Sequence, residues 1–155
     1  MILNLGVDKM NDYLIFKRIW QDTFCFKILA KCKSDYVTVQ MEIYTSDRDI
    51  DILCEKLDSL LYSRTNKVYW LNGEIGDYSV PCISLRLEKN KLGQVQIEVY
   101  IEIADGGTLS EHNCCFFINT EIGLLEQFRK SLPKLKNPEI GTKVILNQDN
   151  FESYN

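Results

Sequence analysis

The chain has a single histidine, His112, and its six cysteines, Cys25, Cys32, Cys54, Cys82, Cys114 and Cys115, show no C-x-x-C spacing. Structural zinc sites place paired ligands two to four residues apart, so no metal site is expected. Cys114 and Cys115 are neighbours, and on a strand their side chains leave on opposite faces and cannot chelate one ion together. His112 and Cys114 do share a strand face. Such neighbours stand about 6.5 to 7 Å apart in Cα terms, beyond the hydrogen-bond reach that a general base needs. No catalytic residue is therefore assigned, and the chain is read as a non-enzyme. The glycine pair in ADGGTL has no helical pattern after it and no lysine beside it, which excludes a phosphate cradle. It is read as a turn, like Gly73, Gly76 and Gly93. No cofactor is implied.

Positive charge is also short. The net charge is -4 and the pI about 5.1. Phosphate binding needs clustered Lys and Arg, so nucleic acid is not expected as the main ligand and a basic partner is electrostatically easier. No apolar run approaches the roughly 18 residues of a membrane span, so no membrane association is expected. The N-terminal MILNLGVDKMNDYLIF lacks a basic stretch followed by a long apolar run and a small-residue cleavage site. The thiols are accordingly read as reduced and the chain as soluble and cytoplasmic.

What is present is a domain's worth of alternation. A chain of 155 residues, 45% of them hydrophobic, is of ordinary size for one domain and buries about two thirds of its unfolded surface. Strand patterns run over Tyr13–Trp20, Asp22–Lys33 and Tyr36–Tyr44, in a meander that starts with a hairpin. The period then changes to 3.6: Ile50, Leu53, Cys54, Leu57, Leu60 and Leu61 form one stripe, which predicts a helix over Asp47–Tyr62. Ser46 is its expected N-cap, with Asp49 in the capping-box position. Strand character returns in KVYWLNGEI, where Asn72-Gly73 admits a tight hairpin instead, in Ser79–Lys89, in GQVQIEVYIEI and in HNCCFFIN. Ile122, Leu125, Phe128 and Leu132 predict a second helix, capped by Asn119 or Thr120 and closed by Pro133. No repeat, low-complexity tract or linker divides the chain.

The expected architecture is one α+β domain over residues 1–136, a mostly antiparallel twisted sheet of about seven strands with two helices packed on one face. Residues 137–155 are expected to be a loosely held polar tail, in which only Lys143–Leu146 has strand character.

The residues that invite a function lie on the outward faces. Between Gln94 and Glu111 stand four acids, Glu98, Glu102, Asp105 and Glu111, and no Lys or Arg. Tyr100 lies between Glu98 and Glu102, and the strand Tyr36–Tyr44 adds Glu42 and Tyr44 by the same alternation. Acids mixed with tyrosine on a free sheet face suit a basic protein partner, tempered if Arg86 and Lys27 share that face.

The order PCISLRLEKN, GQVQIEVYIEI, CCFFINTEIG and LLEQFRKSL, preceded by MEIYTSDRDIDILCEKLDSLL, resembles the WapI-type immunity family of bacterial polymorphic toxin systems. The resemblance covers residues 13 to 135 and lies in the pattern of strands and helices. It implies a non-catalytic protein that binds a cognate toxin domain, with a basic nuclease as one class of such toxin, and gives the face bearing Glu98, Tyr100, Glu102, Glu42 and Tyr44 a purpose. The alternative is a small-ligand-binding module that uses a cavity of a curved sheet, with Trp20, Tyr69 and Trp70 as its walls.

The compartment argument has a direct check. Unfolded without reductant and alkylated, the protein should show six modified cysteines by mass spectrometry, and reductant should leave its melting temperature unchanged.

Overall fold

The computed structural model describes residues 12–77, 79–103 and 112–147. The loop acids Asp105 and Glu111 and residues 148–155 of the expected tail lie outside them. Among the described residues, eight strands and two helices follow one another as β1 (Tyr13–Gln21), β2 (Phe26–Lys33), β3 (Thr38–Thr45), α1 (Asp47–Leu61), β4 (Lys67–Asn72), β5 (Cys82–Lys89), β6 (Gln94–Ile103), β7 (His112–Glu121), α2 (Ile122–Ser131) and β8 (Lys143–Leu146), with a 3-10 turn over Leu132–Lys136 before β8.

The α+β class is as expected, but the strands form two antiparallel four-stranded sheets instead of one sheet of about seven. The first has the order β3-β2-β1-β8 and the second β4-β5-β6-β7. The break falls where α1 interrupts the meander, because a helix of 15 residues carries the chain away from the edge of β3 before the next strand begins. Lys143–Leu146, the strand-capable part of the expected tail, is integral: it pairs with Leu14–Lys17 of β1 and buries Val144 and Leu146. Lys67–Asn72 is one strand, and the chain after Gly73 leads into a longer loop instead of a two-residue hairpin.

Both sheets turn their apolar faces to one core. Phe26, Ile28 and Ile43 from the first sheet, Ile83, Leu85, Ile97, Val99 and Ile101 from the second, and Leu53, Leu57, Leu60, Leu125 and Phe128 from the helices belong to a single buried cluster. Met41 is in it, and Val39 packs against it. Phe16 of β1 is where the layers meet, its ring 6.3 Å from that of Trp70 on β4 and 6.1 Å from that of Phe128 on α2. Trp70 keeps its indole N–H satisfied by donating to the Asp49 carbonyl of α1.

The helix ends follow their chemistry. Ser46 caps α1, its Oγ accepting from the Asp49 N–H and donating to the Asp49 carboxylate. The last turn of α1 has no basic residue of its own, and Lys89 of β5 supplies one, its ammonium donating to the Leu60 carbonyl at 2.7 Å. For α2 the expected caps Asn119 and Thr120 remain in β7, and the N-cap position falls to Glu121, which makes no side-chain cap bond. Thr120 is buried instead, its hydroxyl donating to Asn147 Oδ1 at 2.8 Å. Asp58 of α1 accepts both forks of Arg129 of α2 at 2.8 and 2.9 Å, which holds the helices side by side.

The sheets join at two polar seams. At one, the Thr45 hydroxyl at the end of β3 donates to Asn72 Oδ1 at the end of β4, and Asn72 Nδ2 donates to the Tyr44 carbonyl. At the other, Asn147 beyond β8 accepts from the Thr120 hydroxyl of β7 and donates to the carbonyls of Asp12 and Asn119. The Asp12 carboxylate accepts from the Asn119 N–H. Asn147 has φ of 67°, a left-handed conformation that Asn tolerates. Replacing it by glycine keeps that backbone and removes only the side-chain bonds. Asn147→Gly should lower stability by about 2 to 4 kcal/mol, because buried partners are left unsatisfied. A urea midpoint that shifts down at unchanged slope would show it.

Candidate functional site

The outward face of the second sheet carries three of the five residues singled out in the sequence, and cross-strand register decides what they meet. Tyr69, Arg86, Glu98 and Phe117 stand in one row across β4, β5, β6 and β7. The Arg86 guanidinium lies 4.9 Å from the centre of the Tyr69 ring and 3.9 Å from the Glu98 carboxylate. Phe117 is 48% exposed and Tyr69 36% exposed, so two aromatic rings flank an ion pair on open surface. The next row is Leu71, Ser84, Tyr100 and Cys115. Cys115 Sγ donates to Glu98 at 3.6 Å. Burial and the nearby Glu98 carboxylate both push its thiol up.

Glu102 does not lie in the open. It points to the outer side as its alternation requires, but the loop after β4 folds over it and leaves it 1% exposed. Both carboxylate oxygens accept from the Gly76 N–H, at 3.0 and 2.9 Å, and the Tyr100 hydroxyl donates to Oε1 at 2.9 Å. Gly73 makes this loop path possible: its φ is 103°, and a Cβ there would stand 2.7 Å from Cys82 Cβ. Glu102 is thus an anchor for the loop, and Tyr100 is tied to it.

Glu42 and Tyr44 belong to the other sheet. Glu42 of β3 meets Lys27 of β2 at 3.5 Å, and the Lys27 ammonium lies 4.8 Å from the Tyr44 ring. The expected five-residue face is therefore divided, and Arg86 and Lys27 temper each half. The three aromatics proposed as cavity walls also separate. Trp70 is in the core, while Tyr69 faces out from the second sheet and Trp20 from the first. Phe117, which the sequence reading did not single out, stands on the outer side of β7, between the buried Phe116 and Ile118.

Among the described residues no three His, Cys, Asp or Glu side chains gather as a possible metal site. Cys115 faces out, and Cys114 packs against the core. No helix of the described residues is long and apolar enough to cross a membrane. No model of a known family matches the chain, and no curated protein or solved structure is significantly similar to it.

Burial sets the chemistry of the inner thiols. Cys32 is pushed up to about 12 by burial, and Cys82 to about 11 by burial and then by the charge of Glu102. An unfolded thiol ionises near 9.0, so the unfolded chain loses these protons first. The native state therefore binds more protons above that pH, and stability should fall as pH rises from about 9 towards 12. Cys82→Ala should flatten that alkaline loss in urea titrations at successive pH values. At pH 8, native-state thiol labelling should reach Cys115 well before Cys32 or Cys82.

Proposed function

We propose that this chain is a non-catalytic protein-binding domain that docks a partner on the outer face of the second sheet. The row Tyr69–Arg86–Glu98–Phe117 carries the proposal. Aromatic rings and arginine are enriched where protein interfaces are energetically strongest, and an antiparallel sheet holds them in fixed rows. The patterned resemblance to toxin-immunity proteins supports a toxin domain as the partner, held in an inhibited state. With Arg86 beside Glu98 the face is of mixed charge, which favours a partner with an apolar centre and paired charges over one that is uniformly basic.

Phe117 and Tyr69 are the residues to change, because they are exposed and their removal leaves the core intact. Phe117→Ala and Tyr69→Ala should each weaken the complex by about 2 kcal/mol, mainly through faster dissociation. Glu98→Lys should slow association and alter its salt dependence. The measurement is co-expression with each toxin domain found in the genes flanking this one, followed by growth assay and binding kinetics. A folded Tyr69→Ala, Glu98→Lys, Phe117→Ala variant that still protects cells fully would remove this face from the interface.

A further inference from the structure

The outer face of the first sheet is chemically different, and the net charge of -4 conceals it. Five lysines emerge there: Lys17 from β1, Lys27, Lys31 and Lys33 from β2, and Lys143 from β8. Cross-strand pairing places Lys17 between Leu29 and Lys143, Lys31 beside Ile15, and Lys33 beside Tyr13. The acid on β3 within this face is Glu42, paired to Lys27.

Aromatic rings stand at both ends of the lysine field. At one end Trp20 and Tyr44 meet edge to face, with centroids 6.1 Å apart, and both remain exposed, at 43% and 49%. Lys27 lies 5.8 Å from the first ring and 4.8 Å from the second. At the other end Lys31 and Lys33 each lie 5.9 Å from the Tyr13 ring. A shift in register between Arg18 and Trp20 turns the Trp20 ring to the same side as Lys27 and Tyr44. Tyr13 and Trp20 are seven residues apart on β1, about 23 Å of strand.

We propose that this face binds single-stranded nucleic acid. Lysines spread over neighbouring strands suit a phosphate backbone, and the exposed Trp20 and Tyr44 rings at one end, with the half-buried Tyr13 ring at the other, suit unpaired bases, which stack on aromatics without regard to sequence. A duplex keeps its bases stacked inside and gains nothing from the rings. An acidic protein segment would use the lysines alone. This proposal stands apart from the protein-binding face of the second sheet, since the two surfaces share no residue.

Trp20 reports the event directly, because the other tryptophan, Trp70, is in the core. Titration with a 12-nucleotide oligothymidylate at low salt should quench tryptophan emission and saturate. The affinity should fall with salt at a slope of about -2 to -3 in log units, as for three or four phosphates neutralised on a single strand. Trp20→Ala with Tyr44→Ala, followed by fluorescein anisotropy on labelled oligonucleotide, should weaken binding at least about fivefold. Lys17→Glu with Lys31→Glu should abolish it, and Tyr69→Ala with Phe117→Ala should leave it unchanged. Circular dichroism and the urea midpoint identify any variant that has unfolded, and for those Trp20→Ala alone and Lys17→Glu alone take their place. Absence of saturable binding up to about 100 µM, the weak limit of non-specific association, overturns the proposal. So does equal binding of polyglutamate or heparin with no loss in the aromatic variants, which would leave a charge patch for an acidic protein segment.

Discussion

Everything in this fold depends on how two separate sheets are kept facing one core, and that is achieved by buried side-chain hydrogen bonds where no backbone ladder continues. A sheet edge presents unpaired N–H and C=O groups, and two edges that do not align cannot satisfy each other in register. Thr45 with Asn72 at one seam, and Thr120 with Asn147 and Asp12 at the other, take over that role. Each is almost fully buried, so each bond is made away from competing water. Asp12 shows the tension in such a site: burial raises its carboxyl above the ordinary value, while the Asn119 N–H bond works in the opposite direction.

The helices fill what the sheets leave open. Phe16 lies against both Trp70 and Phe128, so a strand of the first sheet, a strand of the second and α2 meet at one ring. Arg18, on the core side of β1, is the polar counterpart. Its guanidinium stacks 3.9 Å from the centre of the Phe26 ring and donates to the Leu135 carbonyl at 2.6 Å, tying the 3-10 turn after α2 to the sheet. With Asp58–Arg129 and Asp51–Lys136 linking the helical segments, the loop into β8 is brought back to β1 from a distance of more than a hundred residues.

With the inner faces committed to packing, the outer faces are free to differ, and they do. The second sheet presents aromatic rings around an Arg–Glu pair, while the first presents lysines bounded by aromatic rings. The chain's overall acidity describes neither surface. Glu98 is beside Arg86 and Glu42 beside Lys27, so each acid is locally tempered by a cation on the adjacent strand.

The sequence by itself determined the elements and the side of each strand. Alternation in GQVQIEVYIEI assigns Val95, Ile97, Val99, Ile101 and Ile103 to the inner face, of which the first four are buried and Ile103 is half-buried against the core, and the 3.6 period with Ser46 located α1 to within a residue of its end. Both are local properties, set by the two-residue repeat of a strand and by the turn of a helix. Only the tertiary structure decided which strands share a sheet, because register and edge partners depend on residues distant in the chain. Alternation could place Glu102 on the outer side of β6, yet it carried no sign that a loop containing Gly76 would close over it. Glu42 and Glu98 look equivalent as outward acids on two amphipathic strands, and pairing with β2 in one case and β5 in the other puts them on different surfaces. The same long-range pairing gathers lysines from β1, β2 and β8 into one field, which no window of the sequence contains.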